Sequence, residues 1–235
     1  GEPAAEAQAA VVAAAVGSAL ASTRPVVRLR TATVHSLLTS DGVLWRCSTL
    51  NASGFGEAPT PIDVAARVPG VAHEALRAAG LIGDPLYRFN ELAYRWVALA
   101  QWNCSAEFIV PAVSPLLNRS GAAPSLSLRL SGIDTFCALR LNGEAVGPPL
   151  DSALLTHDVL IPPGILRPGP NRLVLAFSPP LAEAALRAAS YPYPVPHTLY
   201  YHTWSEPSHR NFARKPQSDF GWDWGPSLLP TGVTG

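Results

Sequence analysis

Methionine is absent from the 235 residues, lysine occurs once, at Lys215, and charged residues make up only 14%. Lys+Arg and Asp+Glu stand at 17 each, and no basic run breaks that balance. The electrostatic footprint of a phosphate-binding surface is therefore missing, and nucleic acid is excluded as an expected partner. Cys47, Cys104 and Cys137 are an odd set without metal-ligand spacing, so zinc is not expected. At most one internal disulfide can form, and one thiol is left over. The alanine-rich opening, Ala4 to Ala21, lacks a basic flank, has Glu2 and Glu6 at its start, and is too interrupted to span a bilayer, so no membrane segment is read there. Glycine-rich phosphate loops, Gly-Xaa-Ser-Xaa-Gly elbows and His-Glu-Xaa-Xaa-His helices do not occur. Nor is there an initiating Met, and the chain stops at Thr234-Gly235 soon after a Pro-containing motif. Further sequence is expected on the carboxyl side.

What is present points to strands. Hydrophobic residues make up 48%, ample for a core, and 24 Pro with 18 Gly punctuate the chain too often for long helices. Residues 1–24 read as an Ala-rich leader, and residues 25–235 as one domain beginning at the alternating stretch Val26 to Arg30. Ser125 to Leu130 alternates without a fault, placing Leu126, Leu128 and Leu130 on one face. Phe136 to Leu141 runs into Asn142-Gly143, the dipeptide whose positive φ angles suit a two-residue hairpin turn. Further strands are expected at His157 to Ile161 and Arg172 to Phe177, with Pro168-Gly169-Pro170-Asn171 as a turn between them. Ala72 to Ala79, closed by Gly80, and Leu181 to Ser190 read as short helices. From Tyr191 to Gly235 the periodicity fails, leaving a long aromatic loop. The expected fold class is all-β: an antiparallel sandwich of jelly-roll type with short helical insertions.

Three Asn-Xaa-Ser sequons, at Asn51, Asn103 and Asn118, lean toward a secretory address, lysosomal, vacuolar or extracellular. His73, His197, His202 and His209 lack ligand spacing and are expected to be ordinary hydrogen-bonded histidines. Tyr87 to Glu91 and Arg95-Trp96 read as aromatic core with arginine at its edge.

The chemistry concentrates in Phe220-Gly221-Trp222-Asp223-Trp224-Gly225-Pro226. A sugar presents apolar C–H patches and a rim of hydroxyls, so its pocket needs an aromatic wall and a carboxylate to accept hydrogen bonds. Trp222, Asp223 and Trp224 supply both within three residues. The competing reading has both indoles in the core and Asp223 tied to backbone donors, at even odds from composition alone.

Together with Arg214-Lys215 and Ser218-Asp219, this run resembles the signature that β-mannosidases of glycoside hydrolase family 2 carry near the end of their first domain. Val68-Pro69-Gly70-Val71-Ala72-His73, Tyr87-Arg88-Phe89-Asn90-Glu91, Tyr94-Arg95-Trp96-Val97, Gly132-Ile133-Asp134-Thr135 and Leu141-Asn142-Gly143 are similar to the same enzymes, spreading the resemblance over roughly Leu44 to Pro226. It implies a galactose-binding-like sandwich at the amino terminus of a retaining exo-β-mannosidase that releases terminal β-D-mannose from oligosaccharides and glycoprotein glycans. The expected partners are that substrate and the immunoglobulin-like and (β/α)8 barrel domains of the same protein, with no cofactor. Trp222, Asp223 and Trp224 would line the mannose subsite. Arg214 and Lys215 read either as braces of the loop, with Lys215 a charge partner of Asp223 or of the barrel, or as a solvated basic pair. The two glutamates of the retaining mechanism, about 5 Å apart, would lie on the barrel. Glu91, Glu107, Glu144, Glu183 and Glu206 offer no substitute pair, so no catalytic residue is assigned here and the fragment alone should be inactive. The alternatives are a non-catalytic carbohydrate-binding module and a sibling β-glycosidase of the same family.

Overall fold

Period-two burial organises the chain. In Trp102–Val110 (β4) the residues Trp102, Cys104 and Ala106 are buried while their neighbours are not, and in Gly169–Phe177 (β10) Asn171, Leu173, Leu175 and Phe177 are buried in the same alternation. Each strand thus offers one apolar face, and a sheet that buries that face follows. The structure, a computed structural model, describes residues 43–49, 61–114, 116–117, 126–196 and 207–235. The predicted leader, the strand at Val26 to Arg30, and the sequons at Asn51 and Asn118 lie outside the described residues, as do His197 and His202.

Six antiparallel strands form the main sheet. Leu44–Thr49 (β1), Ile62–Ala66 (β2), Cys137–Leu141 (β7) and Glu144–Ala145 (β8) join β4 and β10 in the order β2-β1-β4-β10-β7-β8. Ser127–Leu130 (β5) pairs with His157–Leu160 (β9), and Leu126, Leu128, Leu130 and Val159 pack onto the core of the main sheet. A third, small sheet places Gly232–Val233 (β11) between Gly70–Val71 (β3) and Ile133–Asp134 (β6). The architecture is the expected all-β sandwich.

Local chemistry explains the connections. Asn142 and Gly143 take φ of 55° and 89°, as a tight hairpin requires, so Leu141 faces Glu144. The helix Ala72–Ala78 (α1) stops where Gly80 adopts φ 71°, with the Leu81 amide reaching back to the Leu76 carbonyl. Two short helices, Asn90–Ala93 (α2) and Trp96–Leu99 (α3), lead into β4, and Pro180–Ser190 (α4) follows β10 with proline at its start.

Three expectations need correction. The turn predicted at Pro168 to Asn171 already belongs to β10, which starts at Gly169; Pro170 is tolerated because β7 pairs with β10 only from Leu173 onward, leaving that flank open. The terminal loop is not structureless to its end, since β11 closes it, a pairing too short for any periodicity to announce. Tyr87 and Phe89 are 58% and 76% exposed rather than core, whereas Trp96 is buried against Trp102. Both exposed rings sit in the connection between α1 and α2, where no sheet covers them.

Cys47 and Cys104 stand directly opposite in the β1–β4 ladder and form a disulfide, leaving Cys137 free and buried. Burial pushes the Cys137 thiol up to about 12, so it is unreactive in the folded state. A thiol reagent is therefore expected to find no reactive cysteine in the native 235-residue chain and one after denaturation without reductant. Three thiols on denaturation would show that the cross-strand bridge is absent. Replacing both bridge cysteines with alanine is expected to cost about 2–4 kcal/mol in urea unfolding, the usual worth of closing a long loop.

Candidate functional site

The segment Arg210 to Pro230 builds the site from its base upward. Phe220 and Leu229, on the two legs of the loop, are fully buried and pack with Ala98, Phe136 and Ala213 into a small cluster separate from the main core. The Leu229 amide donates to the Asp219 carbonyl at 3.1 Å, which joins the legs. Gly221 then takes φ 102°, a conformation that favours glycine, and turns the chain outward. Trp222 and Gly225 exchange reciprocal backbone hydrogen bonds of 3.0 and 3.2 Å, so Asp223 and Trp224 form the end of a tight turn. Gly225 needs no left-handed backbone, so of the two bracketing glycines only Gly221 does conformational work.

At this tip the structure places all three predicted site residues. Trp222 is 56% exposed, Trp224 is 84% exposed, and Asp223 is exposed too, with no hydrogen bond among the described residues. The indoles meet edge to face at 6.0 Å. Neither indole is core, and the acid does not serve backbone donors. Two apolar ring faces and an open carboxylate are thereby presented on one short, rigidly rooted projection.

Beneath the tip lies a charged centre that sequence reasoning missed. Lys215, the single lysine, is fully buried; its Nζ donates to the Pro230 carbonyl at 2.8 Å and pairs with Asp134 Oδ1 at 3.2 Å and Asp219 Oδ2 at 3.3 Å. One hydrogen bond and two ion pairs thus converge on the ammonium. The Thr135 hydroxyl also donates to Asp134 Oδ1. Lys215 is therefore not a solvated base, and its charge partners are Asp134 and Asp219, not Asp223. Its isolation in the sequence was the only available signal, because Asp134 lies 81 positions away on β6. Arg214 stays at the surface and contributes through its backbone, accepting from the Ala153 amide at 2.9 Å.

A cavity of about 410 Å³ opens between α1 and the two legs, lined by His73, Arg77, Leu86, Asp219, Pro226 and Leu228 among others. His73, expected to be an ordinary hydrogen-bonded histidine, is buried with Nδ1 unpartnered. Burial, reinforced by the Lys215 charge, brings its pKa down to about 4 from 6.5. Asp219 moves the other way: desolvation raises it, the Lys215 charge opposes that, and the Asp134 charge adds to it.

The two shifts have opposite consequences for stability. The unfolded chain takes up a proton on His73 from 6.5 downward while the folded chain resists until about 4, so acidification through that window removes stability. For Asp219 the folded state holds its proton to higher pH than the unfolded chain, so its contribution is present below 3.8 and is lost as pH rises through the raised value. Urea midpoints between pH 7 and 4 are expected to fall in the native protein by the equivalent of roughly 3 kcal/mol from His73 alone. A His73→Leu variant should show a distinctly shallower fall, and an unchanged slope would remove His73 from the account.

Comparison with known proteins bears on the whole arrangement. Residues 45–235 match the family model described as the glycosyl hydrolase 2 galactose-binding domain-like family. A beta-mannosidase of Rattus norvegicus is 33% identical over 198 residues, covering 80% of this chain and 20% of the relative. Beta-mannosidase B of Emericella nidulans is 31% identical over 169 residues, covering 71% of this chain and 18% of the relative. Among solved structures, the beta-D-mannosidase of Dictyoglomus thermophilum superposes with a TM-score of 0.66 at 31% identity, covering 83% of this chain and 21% of that one. The chain thus spans about a fifth of the length of these relatives.

Proposed function

Since the chain belongs to the glycosyl hydrolase 2 galactose-binding-like domain family, we propose that it is the amino-terminal part of a retaining exo-β-mannosidase, and that its tip shapes the subsite for a terminal β-D-mannose. The observation that carries this reading is the exposed carboxylate of Asp223 between two exposed indoles on a buried, charge-clamped base. In it, Trp222 and Trp224 cover the apolar faces of the sugar and Asp223 accepts hydrogen bonds from its hydroxyls. The likeness to beta-mannosidases of mammals, fungi and a bacterium supports the choice of sugar.

The chemical step is assigned to the remainder of the protein. A retaining mechanism needs one carboxylic acid to protonate the leaving oxygen and a second carboxylate about 5 Å away as nucleophile. Among the described residues, the carboxylates brought together around the clamp, Asp134 and Asp219, share the Lys215 ammonium, and Asp134 is buried, so Asp219 reaches the cavity without a second acid beside it to complete a catalytic pair. This chain therefore contributes recognition, and a (β/α)8 barrel elsewhere in the protein contributes the glutamates. A secretory or lysosomal address fits the cross-strand disulfide and the three sequons, of which Asn103 lies half-buried within β4.

In the full-length protein, Asp223→Ala is expected to lower kcat/KM on a chromogenic β-mannoside by about tenfold or more, the size of a lost charge-assisted contact, with little change in Tm. Chromogenic β-galactoside, β-glucuronide and β-glucosaminide should be turned over more slowly than the mannoside. Preference for any of those three would overturn the assignment of mannose, and undiminished activity in Asp223→Ala would leave the tip without a role in recognition.

A further inference from the structure

We propose that Lys215 is the positioning residue of the tip: its ammonium gathers both legs of the loop and ties them to the sandwich, fixing where Trp222, Asp223 and Trp224 project. The argument rests on what Lys215 touches. Asp219 lies on the leg entering the tip, Pro230 on the leg leaving it, and Asp134 on β6 of the small sheet, so three separate segments converge on one atom within 2.8 to 3.3 Å. The neighbouring apolar cluster, with Phe220 and Leu229 at its centre, buries the legs but is non-directional. Apolar packing resists withdrawal of a loop better than it resists rotation, whereas a directed hydrogen bond to Pro230 together with ion pairs to Asp134 and Asp219, converging from three segments on one nitrogen, restricts orientation as well. Above Gly221, whose amide donates to the Ser218 carbonyl at 3.0 Å, the backbone bonds of the tip among the described residues are its own reciprocal pair between Trp222 and Gly225. Its placement is therefore inherited from the base.

Gly132-Ile133-Asp134-Thr135 and the run from Arg214 to Pro226 are remote in sequence, yet they meet at this cation. Asp134 orients the ammonium, and the Thr135 hydroxyl orients Asp134. The lysine is a positioning residue and not a catalytic one, since its side chain is fully buried. It acts through the tip, and its effect on turnover rests on the mannose-subsite reading, while its effect on tip order does not.

The test uses the full-length protein and separates those two effects. Asp219→Ala removes one leg's contact and leaves Lys215 paired with Asp134, a balanced buried pair, so folding is expected to survive. Hydrogen exchange in peptides spanning 221–226 should then quicken by about tenfold, while peptides from β10 stay unchanged. Turnover of a chromogenic β-mannoside should fall at least about fivefold in kcat/KM, with Tm within about 2 °C of the parent. Lys215→Arg should act in the same direction, because a planar guanidinium cannot meet three acceptors arranged around a tetrahedral nitrogen.

A purely structural lysine would lower Tm and leave exchange at the tip and turnover per folded molecule as they were; that result overturns the proposal. Asp223→Ala is measured alongside. If Asp223→Ala impairs turnover while Asp219→Ala leaves tip exchange unaltered, the clamp fails and the subsite reading stands. If tip exchange rises in Asp219→Ala but neither variant affects turnover, the clamp stands and the subsite reading fails.

Discussion

Everything distinctive about this domain depends on taking one ammonium group out of water and surrounding it with acceptors. Desolvation of an ion costs several kcal/mol, and mutual attraction offsets that only where the remaining donors are matched. Lys215 meets the condition with two carboxylates and a carbonyl. The consequences radiate outward. Asp219 is pulled in two directions, by burial and the Asp134 charge on one side and by Lys215 on the other, and His73 is kept neutral partly because a second cation beside Lys215 is unfavourable. A buried cation surrounded by two acids is a directional joint, in contrast to the leucine and phenylalanine packing around it, which is tolerant of small rotations.

That joint sits between regions of very different rigidity. On one side is the nine-residue ladder between β4 and β10, reinforced by the Cys47–Cys104 bridge in the neighbouring pair of strands. On the other is a turn whose backbone bonds, among the described residues, link Trp222 to Gly225. Groups that recognise a ligand must stand clear of the core to be reached, which places them at the weakly held end of the structure. Such groups keep a defined geometry only if their root is fixed, and here the root is fixed by charge as well as by burial.

Local rules made much of the fold legible. The alternation at Leu126, Leu128 and Leu130, the Asn142-Gly143 turn, and the helix stop at Gly80 each follow from backbone or side-chain preferences acting over a few residues, and each is found. What escaped was non-local. The start of β10 at Gly169 depends on an open flank beside Pro170, and β11 is two residues long, recruited by neighbours roughly 100 and 160 positions earlier in the chain. Tyr87 and Phe89 were misjudged because aromatic composition suggests burial, whereas burial is decided by what lies across from a residue. The site divided in the same way. The exposed trio at its tip was legible from chemistry, since indoles flanking an acid suit a sugar wherever they stand, but the support beneath them was not, because Asp134 and Lys215 share no local pattern.

The exposure of the tip also explains why its composition is tolerable. Two indoles at 56% and 84% exposure, next to a cavity walled by Leu86, Pro226 and Leu228, leave apolar surface in water that folding of this domain alone does not bury. Such surface is retained where burial happens on binding. On the proposed reading, an acid set between the rings would serve a second purpose: it keeps the projection hydrated, and it would be matched by a ligand with donors at its rim. A wholly apolar tip would bind any greasy surface, and a wholly polar one would gain nothing from the faces of the sugar. On the proposed reading, selectivity for a carbohydrate would follow from holding both kinds of group on one turn rooted above the buried charge.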